Sequence, residues 1–285
     1  MLIGTTFNRS APLHQNFFVS FRGFHGQSFR SMRYRTVLFD LDGTLLDHLP
    51  AIHRCYAHTL PQLGLPAPTR EQVRHAIGGG LENAMRRFVR EADLPRALQL
   101  YSAYWDRTML DGVELMPGAG ELLRTLHARG CTLGVLTNKR SSSSRMVCDY
   151  LGIAPLFRGV FGAQDTPWLK PDPRFTARVL AALGADAATT CLVGDSPFDA
   201  EAAHQGGLHC FLVTTGTHSL EELQAAGAEH IYPDLPALAR EVFGLRLAAA
   251  PPADRLRQAG STTALLCAAP TAARPRRPLG SRFRP

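Results

Sequence analysis

The 285-residue chain is 45% hydrophobic and 19% charged, a composition that excludes collagen-like, low-complexity and membrane-spanning classes and fits one full α/β domain with a smaller module. Its formal charge of +7 resides in the ends: residues 1–31 hold three arginines and no acid, residues 246–285 hold eight arginines against Asp254 alone, and residues 32–245 keep 20 basic against 23 acidic side chains, a net of −3. A mildly acidic folded part argues against a basic nucleic-acid groove, and six cysteines with no C-x-x-C pair carry no zinc spacing and suit a reducing, cytoplasmic setting.

Residues 1–31 lack the apolar run of a secretory signal. Met32 stands directly before Arg33-Tyr34-Arg35-Thr36 and the first strand, so it is the expected start, with 1–31 a disordered or non-native extension. The first apolar run, 36–39, reads as a buried strand. From residue 49 to 112 no strand pattern occurs, and four amphipathic helices are expected near 50–62, 69–77, 81–91 and 95–110, forming a small helical cap. Beyond it, strands at 132–136, 160–162, 191–193 and 209–213 alternate with helices at 119–129, 142–151, 174–183 and 199–205. Gly130, Gly184 and Gly206-Gly207 stand where helices should stop.

Near-continuous apolar strands separated by helices predict a doubly wound parallel sheet covered on both faces, built from 32–48 and 113–245. An insert that leaves directly after the first strand sits over the carboxyl ends of the strands, where open α/β folds bind ligands. The Ala-, Pro- and Arg-rich stretch 246–285 cannot bury enough apolar surface to order itself. No run reaches the roughly 20 apolar residues of a membrane helix.

Only two of the 31 basic residues are lysines, Lys139 and Lys170, and each lies in a motif that follows a strand or its adjoining loop. A lysine supplies a compact ammonium suited to a crowded cluster of oxygens. Asp40 and Asp42 follow the first strand two residues apart. Asp195 and Asp199 follow the fourth, and four carboxylates converging at one sheet edge would repel unless a divalent cation neutralised them. Oxygen ligands with few imidazoles point to Mg²⁺. Lys170, in Trp168-Leu169-Lys170-Pro171-Asp172-Pro173, adds a fixed positive charge, and Thr137-Asn138 offers a hydroxyl and backbone N–H groups to an anion. Nucleophile, acid/base, cation, lysine and N–H cradle are the parts that phosphoryl transfer requires.

The four motifs D-x-D-G-T, T-N-K, K-P-D-P and G-D-x-x-x-D, in this order over roughly residues 36–240, resemble the haloacid dehalogenase superfamily. The helical insert, Pro117-Gly118 before a helix, and Leu136-Thr137-Asn138-Lys139 resemble its phosphoglycolate phosphatase type. The resemblance implies that Asp40 attacks phosphorus to form an aspartyl-phosphate and that Asp42 protonates the leaving alcohol and then activates water. It implies that Asp40, the backbone carbonyl of Asp42 and Asp195 hold Mg²⁺, that Asp199 is an outer ligand or a partner of Lys170, and that Thr137, Asn138 and Lys170 bind phosphate. Lys139 is read as solvent-facing at the start of a serine-rich turn, Asp47 as structural, Asp172 as orienting its loop and Asp165 as a surface residue.

Asp42 favours phosphoryl transfer over dehalogenation within this family, and residues 49–112 contain no lysine for the Schiff base of a phosphonate hydrolase. The expected activity is Mg²⁺-dependent hydrolysis of a small phosphomonoester, 2-phosphoglycolate first. A sugar phosphomutase, a broad sugar phosphate, nucleotide or pyrophosphate phosphatase, and a silent domain whose basic tails bind RNA or an acidic partner are the alternatives. Arg74, His75 and Arg86, around Gly78-Gly79-Gly80, are candidates for a substrate carboxylate, and His48 stands where members often have Ser. The expected partner is a small molecule, with no nucleic acid or membrane, acting on a monomer or homodimer.

Overall fold

Val37, Leu38 and Phe39 are fully buried, so the strand they form needs helices on both faces. The computed structural model describes residues 33–228 and 230–247. The expected extension 1–31 and the expected tail 246–285, apart from residues 246–247, lie outside the described residues.

The chain enters through β1 (Thr36–Phe39) and β2 (Leu46–Asp47), then runs through α1 (Leu49–Thr59), α2 (Arg70–Ala76), α3 (Leu81–Met85) and α4 (Leu94–Thr108). It returns through β3 (Glu114–Leu115), and alternation follows: α5 (Ala119–Ala128), β4 (Thr132–Arg140), α6 (Ser141–Tyr150), β5 (Gly159–Ala163), α7 (Pro173–Leu183), β6 (Thr190–Gly194), α8 (Pro197–Gly206), β7 (His209–Val213), α9 (Leu220–Ala225), β8 (Ile231–Tyr232) and α10 (Leu235–Phe243). The main sheet has the order β5-β4-β1-β6-β7-β8, and every pairing in it is parallel. β1 lies between the two halves, with Phe39 opposite Val135 on one side and Val193 on the other. The strand order reverses there, so the carboxyl ends of β1, β4 and β6 open side by side as a ligand crevice.

Two of the hydrophobic clusters border the crevice. One packs Leu38, Leu136, Leu192 and Leu212 of the sheet against Phe175 and Val179 of α7 and Ala200 and Ala203 of α8. The other joins α1–α4 through Tyr56, Val73, Met85, Ala97, Tyr101 and Trp105. The two strands that lead into and out of this helical block, β2 and β3, pair antiparallel through Leu46–Leu115 and Asp47–Glu114. Cys55, Cys131, Cys148, Cys191 and Cys210 are buried and take no part in a disulfide, and burial pushes the Cys148 thiol up to about 12, which makes it inert at neutral pH.

The five expected strands form, and α7 and α8 stop at Gly184 and Gly207 as expected. The first helix of the insert is shorter than the expected 50–62: it ends at Thr59 and tightens into a 3-10 turn, Leu60–Leu63, containing Pro61, which has no N–H to continue the ladder. The third ends at Met85 instead of continuing to 91, and Arg86 there bridges Glu82 and Glu91. β2, β3, β8, α9 and α10 are additions. The last two carry clear start signals: Ser219 caps α9 in a box with Glu222, and Asp234 caps α10 before Pro236.

Phe175 is fully buried beneath the sheet, and removing its ring leaves a cavity the rigid strands cannot close. Phe175→Ala is expected to lower the unfolding free energy by about 3–5 kcal/mol, read as a fall in the urea midpoint.

Candidate active site

β1 ends at Phe39, and the backbone amide of Asp40 still donates to Val193 O at 2.9 Å. The chain then turns sharply, with Thr44, Leu45 and Leu46 all donating to Leu41 O. The turn leaves Asp40 nearly buried and Asp42 partly open to the cavity between the sheet and the helical block. Thr44 is held inside and donates to Asp195 Oδ1 at 2.9 Å, so the first motif and the last are bonded directly.

Lys170, only 3% exposed, reaches the same point from the loop after β5. Its Nζ lies 2.6 Å from Asp199 Oδ1 and 3.0 Å from Asp40 Oδ1. Burial alone would lower the ammonium pKa, but Asp199 and Asp40 outweigh it and hold it above its ordinary value. Asn138 fixes this loop from both sides: its Oδ1 accepts from Lys170 N at 2.8 Å and its Nδ2 donates to Lys170 O at 3.0 Å. Nδ2 also lies 3.3 Å from Gly78 O of the helical block. The Asn138 side chain is thus engaged in positioning Lys170 rather than turned to an anion. Thr137, also buried, accepts from the backbone of Lys139 at 3.2 Å.

Asp199 is saturated. Besides Lys170, its Oδ2 accepts from Ser196 Oγ at 2.5 Å and from the amides of Ser196 and Asp195 at 3.1 and 3.3 Å. Asp40, Asp195 and Asp199 each bring an oxygen within 4.8 Å of the others. Burial pushes Asp40 up, Lys170 pulls against it and Asp199 adds to the rise. Asp195 stands well above the ordinary carboxylate range, through burial first and then Asp40 and Asp199. Three buried carboxylates set against Lys170 leave an excess of negative charge, and Asp40 Oδ1 has no well-aligned hydrogen bond. An all-oxygen cluster with that excess fits a hard divalent cation.

The Asp42 carboxylate points elsewhere. It accepts from Lys139 Nζ at 2.8 and 3.0 Å, and His48 Nδ1 lies 3.2 Å away. Burial would raise its pKa, but Lys139 and His48 overcome that and hold it far below the usual range. His48 is itself buried, with Nε2 donating to Met109 O at 2.6 Å and its ring beside Trp105. Lys139 sits 4.6 Å over the Trp105 ring. It is therefore a partner of Asp42 and not the solvent-facing residue expected; the signal was present in the T-N-K motif and in the scarcity of lysine.

Of the expected carboxylate binders, none lines the cavity that holds Asp40. His75 pairs with Glu71, Arg86 with Glu82 and Glu91, and Arg74 reaches Gly216 O at 3.3 Å beside a neighbouring cavity. These helix-surface arginines find acidic neighbours one turn away, the common fate of exposed charge on a helix. The glycine run does reach the cavity, through Gly78 and Gly80. A Cβ on Gly79 would come within 3.0 Å of the Phe198 ring, so the run brings the helical block's backbone close to the core. Asp172 caps α7 and pairs with Arg174, as a loop-orienting residue should. Asp165 is held by Arg145 and by the amide of Gly162, and Asp47 lies exposed in β2.

The haloacid dehalogenase-like hydrolase family model matches residues 37–213. The chain belongs to this family of hydrolases. It is 34% identical over 196 residues to the probable phosphatase IndB of Dickeya dadantii, covering 67% of this chain and 85% of that protein. It is 32% identical over 214 residues to a phosphoglycolate phosphatase of Pseudomonas putida, covering 72% and 78%. Among solved structures, one described as a predicted phosphoglycolate phosphatase from Haemophilus somnus superposes with a TM-score of 0.67 at 26% identity, covering 71% of this chain and 95% of that one. A haloacid dehalogenase-like family protein from Streptococcus pneumoniae, 23% identical, shares the fold with a TM-score of 0.68 over 75% of this chain and 99% of that one. Among the described residues of this hydrolase, no helix is long and apolar enough to cross a membrane.

The hydrolase holds Asp195 against the loop after β7, where a Cβ on Gly216 would overlap the Asp195 carboxylate. Gly216→Ala is expected to force the Asp195 carboxylate aside and lower the unfolding free energy by about 1–3 kcal/mol, read as a fall in the urea midpoint.

Proposed function

We propose that the protein is a Mg²⁺-dependent phosphomonoester hydrolase that works through an aspartyl-phosphate on Asp40, with residues 49–112 acting as a cap over the site. The observation that carries this reading is the buried Asp40–Lys170–Asp199 chain, with Asp195 beside it, at the carboxyl end of the central strand. Asp40, Asp195 and the Asp42 backbone carbonyl would hold the ion, with Asp199 behind them as the partner of Lys170. Bound there, Mg²⁺ supplies charge neutralisation for the phosphoryl oxygens.

The protein's own groups carry the steps. An Asp40 carboxylate oxygen attacks phosphorus as the bond to the alcohol oxygen breaks, and Asp42 gives that oxygen a proton. Asp42 then takes a proton from water, whose oxygen attacks the aspartyl-phosphate, releasing inorganic phosphate and restoring Asp40. The ionised form of Asp42 that Lys139 and His48 favour is the form this second half needs, and it works against the first half, which starts from the protonated acid. Lys170 and Thr137 stabilise the transferring group, and Asn138 keeps Lys170 in place. The names of the relatives make 2-phosphoglycolate the reference substrate.

Asp40→Asn, and separately removal of Mg²⁺ with EDTA, are each expected to reduce phosphate release from 2-phosphoglycolate and a panel of small phosphomonoesters by at least about 10³-fold. The assay is inorganic phosphate against time. Movement of phosphate within a sugar phosphate, without net release, would replace the hydrolase by a mutase.

A further inference from the structure

The cavity in front of Asp40, about 110 Å³, has two unlike walls. A water needs only roughly 10–15 Å³ of such space, so there is room for an organic group beside a phosphoryl group. The core wall is polar, with Asp40, Asp42, Thr137, Asn138 and Asp195. The wall from the helical block is Ile52, Tyr56, Leu81, Ala84, Tyr101 and Trp105. Among the described residues, no arginine, lysine or histidine of α1–α4 lines it.

Two core cations touch the same space, and both are engaged. Lys139 Nζ is bonded to both oxygens of Asp42, and Arg140 pairs with Asp106 and lies 3.2 Å from Ser143 Oγ. Trp105 Nε1 on this wall is already bonded to Ser143 Oγ, and Tyr56 Oη, although it has no hydrogen-bond partner, is enclosed with no surface open to the cavity. Burial pushes that phenol above its ordinary value, so it adds no charge to the wall. A carboxylate pressed against this wall would lose its hydration with no cation to replace it, whereas an aryl or alkyl group would lose nothing and gain contact with Tyr101 and Trp105.

We infer that the preferred substrates are phosphate monoesters of neutral, largely apolar alcohols, in preference to esters of hydroxy acids such as 2-phosphoglycolate. The inference rests on the hydrolase reading and narrows it. Specificity follows from where charge is absent: the hydrolytic groups belong to the core, and the helical wall selects the alcohol.

The test measures kcat/KM with Mg²⁺ for 2-phenylethyl phosphate and 2-phosphoglycolate on the full chain. The glycolate ester has the more activated leaving group, so leaving-group chemistry works against the expected result. The wild type is expected to prefer 2-phenylethyl phosphate by at least about tenfold. Leu81, partly buried at the edge of the wall, is replaced in Leu81→Arg, which is expected to shift that ratio at least about tenfold toward 2-phosphoglycolate. Equal or faster turnover of 2-phosphoglycolate by the wild type overturns the inference and leaves the hydrolase standing. Release of phosphate from neither ester nor any of the panel overturns both. If Leu81→Arg fails to fold, as judged by circular dichroism, the wild-type ratio decides alone.

Discussion

An ammonium held 2.6 Å from Asp199 and 3.0 Å from Asp40 in a nearly solvent-free site is the interaction on which the rest of the structure depends. A buried charge is tolerated only when its partners are placed well enough to replace water. Much of the surrounding polar structure does that placing. Asn138 grips the Lys170 backbone on both sides, Asp172 fixes the start of α7, and Ser196 with two backbone amides completes the second oxygen of Asp199. Arginine would need more room and more acceptors than this pocket has, which gives the rare lysine its physical reason.

The sheet supplies the geometry that makes such a cluster possible. Residues from four separate stretches meet because β1 is flanked by β4 and β6 in parallel register, so the segments leaving these strands begin at the same edge. The charge imbalance there is a product of convergence: Asp40, Asp195 and Asp199 lie buried within 4.8 Å of one another, and burial and mutual repulsion raise Asp40 and Asp195 together.

That edge was readable from the chain because it is encoded in runs. The largely apolar runs at 36–39, 132–136 and 191–193 are long enough to read as strands, and each is followed within two residues by a motif residue. The two-residue strands β2 and β3 carry no period at all, since their pairing is made by residues nearly seventy positions apart. The truncation of the first helix at Pro61 was legible in principle. The partners of Asp42 were not: Lys139 and His48 meet it from β4 and from the residue before α1, and no local pattern links those places. Arg86 lies away from the cavity that holds Asp40 for the opposite reason, because its acidic neighbours at 82 and 91 are local and pair with it.

The helical block and the sheet each close their own hydrophobic core, and that division shapes how they join. Across the boundary run Trp105 Nε1 to Ser143 Oγ at 2.9 Å, Asn138 Nδ2 to Gly78 O, Arg74 to Gly216 O and Arg140 to Asp106. Polar contacts of this kind exchange readily with water, at a net of about 0.5–1.5 kcal/mol each, whereas separating two halves of one apolar core would expose surface at about 25 cal/mol per Å². An antiparallel ribbon of two residues on each side, β2 with β3, ties the two crossings together. Separate cores, polar ties and a short paired hinge favour rigid-body motion of the block over deformation within it. On the proposed hydrolase reading, the same motion would bring the apolar wall to a substrate and take it away again, and would open or close the path of water to Asp40.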